Sequence, residues 1–161
     1  MINNIMNPTQ LAGLVKRAYP NFDMTNFNYR LKLQKLIYLM KASDLNLGYN
    51  FRLHLNGPYS TMLSRDGFDM PSFEECQIIK FENIESEKKF ESLLNFLKNK
   101  KDNSGIMEII ASLHLFHKLY SNKINEELIL FVEEKSPKFN GKKEEIRKLL
   151  DELIKSEIIG W

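Results

Sequence analysis

The sequence predicts a mostly α protein, a single compact helical domain over residues 1–161 with a minor β element, and three observations predict it. Apolar residues recur at or close to the i, i+3, i+4, i+7 spacing of a core-facing helix in six separate segments. Only one short stretch, near residues 50–56, alternates apolar and polar with the period of a strand, and residues 75–82, with Ile78, Ile79 and Phe81, are the weaker candidate for a second short strand. A chain of 161 residues with 43% hydrophobic and 27% charged residues is large enough to bury a core without staples.

Pro8 sits where a helix begins, since its missing amide hydrogen is no loss at the first position, and Leu11, Leu14, Val15 and Ala18 follow until Pro20 stops the pattern. A polar connector leads to a second helix over residues 29–44, in which Leu33, Leu36, Ile37 and Met40 make the buried stripe. Gly48, just past it, is placed to take a left-handed cap. Phe51, Leu53 and Leu55 then alternate with Arg52, His54 and Asn56, the pattern of a half-buried strand. Gly57 turns the chain, and Pro58 opens a short helix through Met62 and Leu63 that ends near Gly67.

The remainder reads as helices. Phe90, Leu93, Leu94 and Leu97 form one stripe, and residues 98–105 a loop. Three helices follow, at 106–120, 124–134 and 142–159, with Ser136-Pro137 ending the second because the residue before proline is pushed out of helical geometry. Their lengths suggest a winged-helix-like unit, lacking a wing.

On the second helix Arg30, Gln34 and Lys41 share one strip, with Tyr38 one turn after Gln34 and Lys35 beside it. These residues either solvate a core helix or present a docking face, beside the turn Asn56-Gly57-Pro58-Tyr59. As a face they suit an acidic or polar protein partner, because aromatic and arginine side chains anchor interfaces.

Lys32-Leu33-Gln34-Lys35-Leu36-Ile37-Tyr38 followed by Asn56-Gly57-Pro58-Tyr59 resembles the KLQKLxY…GP[YV] signature of the Panacea (SocA-like antitoxin) superfamily. The Pro58-Tyr59-Ser60 variant resembles its YwgA-like bacterial and archaeal branch more than the antitoxin branch, where valine commonly follows the proline. The resemblance covers residues 29–66, about a quarter of the chain. It implies a small, helical, cytoplasmic module, often encoded by mobile elements or toxin–antitoxin operons, that acts by binding another protein.

No chemistry competes with that reading in the sequence. No glycine loop for phosphate or dinucleotide and no nucleophile elbow is present, so no catalytic residue and no cofactor is assigned. His114 and His117 are one turn apart but lack further ligands, and His117 reads as a partly buried, hydrogen-bonded side chain rather than a metal ligand. The lone Cys76 excludes an internal disulfide and fits a reducing compartment. Apolar runs of five residues are far short of the roughly 20 a membrane span needs, and Asn3, Asn4, Asn7 and Pro8 break any secretory signal. The expected compartment is the cytoplasm.

The formal charge of +2 is uneven: residues 1–70 hold eight Lys or Arg against four Asp or Glu, and residues 71–161 hold fifteen against seventeen. That asymmetry can orient a protein partner or a homo-oligomer. The competing expectation is a DNA- or RNA-binding regulator of helix-turn-helix type. Against it, the last helix is charge-balanced where a groove reader offers cations and amides.

Overall fold

The computed structural model describes residues 6–161, so Asn3 and Asn4 lie outside the described residues. Seven α-helices and one two-stranded ribbon are present among them: α1 Pro8–Ala18, α2 Phe27–Ala42, β1 Arg52–His54, β2 Gly57–Tyr59, α3 Thr61–Phe68, α4 Ile84–Leu97, α5 Ser104–Leu119, α6 Asn125–Glu134 and α7 Lys143–Ser156. The helix starts follow from their caps. Asn7, Asn26, Ser60, Asn83 and Asn103 each accept a backbone N–H of the first turn through the side chain. The Asn7 cap is reciprocal, with Gln10 reaching back to the Asn7 amide.

Helix α5 is the axis of the molecule. Ten consecutive residues, Met107 to Phe116, are buried, as expected of a helix enclosed on all sides. It packs against α2, β2, α6 and α7. The buried apolar side chains form one cluster running from Met6 to Ile159. No helix among the described residues is long and apolar enough to cross a membrane.

Several expectations are corrected. Helix α2 begins at Phe27 and ends at Ala42, and the left-handed residue closing it is Asp44, with φ 63°. Gly48 also has positive φ but lies in the following loop, its amide held by the Asn46 side chain. Pro58 opens no helix. It lies in β2, opposite Leu53, and α3 starts only after the Ser60 cap. The turn is made by Leu55 and Asn56, since His54 pairs with Gly57. Strand β1 is exposed throughout instead of half-buried, because the ribbon meets the core only through Gly57 and Pro58 of β2.

Residues 75–82 form no strand among the described residues. They are an irregular segment stitched to α1: Ile79 donates its amide to the Gly13 carbonyl, and Lys16 Nζ donates to the carbonyls of Phe73 and Cys76. Arg17 donates to the Ile79 carbonyl and makes a two-pronged pair with Glu87, both bonds 2.7 Å. Side chains thus satisfy a backbone that no sheet receives. Helix α5 begins at Ser104, within the expected loop, and α7 ends at Ser156, where Glu157 takes a left-handed conformation.

Candidate functional site

The residues of the Lys32–Tyr38 run do not form an outward strip. Gln34, Lys35 and Tyr38 are buried, because the β ribbon covers the side of α2 that the apolar stripe leaves open. Each is engaged there. The Gln34 amide bridges the Ser60 backbone as a neighbouring strand would: Oε1 accepts the Ser60 amide at 2.8 Å, and Nε2 donates to the Ser60 carbonyl at 2.9 Å. Lys35 Nζ donates to the Pro58 carbonyl at 2.7 Å. Tyr38 Oη pairs with His114 Nδ1 of α5 at 2.7 Å, and its ring meets Phe51 edge-on. Lys41, half-buried, donates to the Tyr49 carbonyl.

The ribbon is held from its other side by two lysines. Lys135 Nζ donates to the Leu55 carbonyl at 2.8 Å, and Lys138 Nζ to Asn56 Oδ1 at 3.2 Å. Both converge on Glu108 of α5, which is 1% exposed and lies 3.2 Å from Lys135 and 2.8 Å from Lys138. Gly57, with φ 89°, sits over this cluster. A Cβ there would lie 2.8 Å from Ser112 Oγ, a buried hydroxyl with no hydrogen-bond partner among the described residues, and 3.5 Å from Lys35 Cε.

Three lysines and one carboxylate leave the cluster with surplus positive charge. Burial pushes the Lys35 ammonium down to about 7; Glu108 opposes the shift, and Lys135 and Lys138 add to it. Lys135 is lowered for the same first reason, burial, with Glu108 again opposing. Burial lowers His114 to about 4, with Lys118 and His117 acting in the same direction, and raises Tyr38. A lysine near neutrality can serve as a nucleophile or base. Lys35, however, is only 1% exposed and donates to the Pro58 carbonyl. Its contacts hold the ribbon.

A cleft of about 230 Å³ opens between α2, the ribbon and α3. Arg30, Gln34, Lys35, Asn56 and Tyr59 line it, joined by His54, whose ring lies 5.0 Å from that of Tyr59. Five of the expected partner-binding residues therefore meet in one place. Gly57 and Pro58 are buried beneath it, and Tyr38 and Lys41 lie farther along α2. A larger and wider concavity of about 630 Å³ lies near the other end of α2, lined by Lys88, Lys89 and Lys118 but also by Asp44, Glu85 and Glu157. Its charges offset one another, and the smaller cleft is the one built from the signature.

Glu108, Lys135 and Lys138 carry no resemblance and were not legible as partners of the turn. One signal existed for Glu108: the lone carboxylate in the largely apolar run Ile106–Phe116 must find cations or lose its charge. The two histidines make separate contacts, His114 with Tyr38 and His117 stacked 4.1 Å from Trp161; His117 Nδ1 is buried with no hydrogen bond among the described residues, contrary to expectation. No group of three or more potential metal-ligating side chains occurs among the described residues. On α7, Arg147 is engaged by Glu126 and Glu144.

Comparison with protein-family models, curated proteins and solved structures gave no match.

Proposed function

We propose that the chain is a non-enzymatic, cytoplasmic protein-interaction module of Panacea/YwgA type, an antitoxin or mobile-element accessory protein that binds a partner protein through its β ribbon and the adjoining cleft. One observation carries this reading: a buried polar network fixes a surface ribbon that holds Leu53 and Leu55 in the open, alongside the exposed Arg52 and His54. Burying charge is costly and stabilises a fold poorly compared with apolar packing, so such a network is better accounted for by the conformation it specifies. Here that conformation presents Leu53 and Leu55, the latter 75% exposed, beside the cleft. A rigid apolar projection with a polar rim is the anatomy of a protein interface. The engagement of Arg147 by two glutamates favours this reading over nucleic-acid binding through α7.

The test is a benzophenone amino acid placed at Leu55, and separately at exposed Lys148 of α7, in cells that naturally express the protein. The expected result is a discrete, protease-sensitive adduct at position 55 that is absent at position 148. No adduct at 55, the same adducts at both positions, or a nuclease-sensitive adduct would overturn the reading.

A further inference from the structure

The cleft has a polarity of its own. Among the described residues no Asp or Glu lines it, although the chain has 21 acidic residues against 23 basic ones. Arg30, Lys35 and His54 line it instead. Arg30 is also pre-oriented. Its Nη1 donates to the carbonyls of Met24 and Thr25, each at 3.0 Å, and its guanidinium lies 5.5 Å from the centre of the Phe27 ring. Among the described residues no hydrogen bond engages Nε or Nη2. These two nitrogens form the edge of the guanidinium that takes a carboxylate through two parallel bonds. Fixing the other edge removes much of the rotamer freedom that an arginine otherwise loses on binding.

The geometry points to a carboxylate-recognition site: Arg30 receives the side chain of an aspartate or glutamate on the partner protein, and an apolar neighbour of that residue lies against Phe27 and Met24. The inference rests on the protein-docking reading above and names the chemistry of the docked segment. The occupant follows from size and charge. A volume of about 230 Å³ is below the range of sites for whole small molecules and admits one or two side chains of a longer chain. Arg30 supplies one permanent, partly exposed charge, whereas Lys35 is 1% exposed with its ammonium on the Pro58 carbonyl, so a single carboxylate has a direct partner and the second charge of a phosphate has none. Phe27 is 56% exposed and offers the apolar contact.

The experiment follows the Arg30 Nε–H and the amides of Asn56, Tyr59 and Ser64 by NMR while capped tripeptides are added: Leu-Glu-Leu, Leu-Gln-Leu and Leu-phosphoserine-Leu, each acetylated and amidated. The expected result is saturable shifts at all four positions with the glutamate peptide, at least tenfold weaker binding of the glutamine peptide, and loss of the response in Arg30→Gln, with Arg30→Lys binding more weakly than wild type. Equal affinity for the glutamate and glutamine peptides, tighter binding of the phosphoserine peptide, or no saturable shift would overturn the assignment. The wild-type comparison needs no variant to fold. If the position-55 adduct persists while the glutamate peptide fails, the carboxylate site falls and the docking reading stands; if the adduct is absent, the docking reading itself falls.

Discussion

At the scale of residues, the account turns on where polar side chains point. Gln34 engages both backbone groups of Ser60, and since the Ser60 carbonyl also accepts the Ser64 amide, Gln34→Ala leaves the buried Ser60 amide as the unpaired group. The expected loss is about 2 kcal/mol of unfolding free energy, read by urea titration. Glu108→Gln removes the carboxylate shared by Lys135 and Lys138, and Lys135 is held with its side chain only 9% exposed. The expected loss is about 3 kcal/mol, most of it from the uncompensated Lys135. Sequence spacing located Gln34, Lys35 and Tyr38 as distinctive but gave them the wrong direction. Helical period marks the apolar stripe of Leu33, Leu36, Ile37 and Met40, yet it cannot say that a second covering layer arrives from residues 57–60. Polar groups whose partners lie more than twenty positions away look exposed in a linear reading.

At the scale of elements, two glycines test the close approaches. A methyl at Gly57 would meet Ser112 Oγ at 2.8 Å in a backbone conformation with φ 89°, so Gly57→Ala strains the ribbon against α5. A methyl at Gly13 would lie 2.6 Å from Ile79 Cγ1 and 2.8 Å from the Gln77 carbonyl, prising residues 77–79 from α1. Each substitution is expected to lower stability by about 2 kcal/mol, visible as a lower melting temperature. The helices themselves were legible, because apolar periods are local signals, and only their ends shifted. The strands were not. Alternation at 51–56 was read as half-burial, whereas β1 stands clear of the core, and residues 75–82 are irregular, held mainly by side-chain donors in place of a ladder. Those outcomes depend on tertiary partners, which no local pattern encodes.

At the scale of the whole molecule, stability should depend on pH through groups the fold desolvates. His114 is lowered to about 4 from an ordinary 6.5, so between those values the unfolded chain binds the extra proton and stability falls as pH drops. Lys35 is lowered to about 7 from 10.5, so across that window the unfolded chain again holds the extra proton, and stability rises with pH by up to about 1.4 kcal/mol per unit. Above pH 10 the raised Tyr19, Tyr38 and Tyr49 reverse the trend, since the folded protein then holds the protons. Urea midpoints between pH 4 and 11 should trace this profile, and Lys35→Met should flatten its rise between pH 7 and 10. The central claim remains that the Lys32–Tyr38 run is an inward clamp on the ribbon. Amide hydrogen exchange in wild type and Gln34→Ala tests it most directly. The account predicts slow exchange at the Ser60 and Leu63 amides in wild type, and in the variant a loss of protection at Ser60 and through β1 and β2 much larger than that in α5. Unchanged protection at Ser60 and in the ribbon, or a uniform loss across all elements, would contradict it.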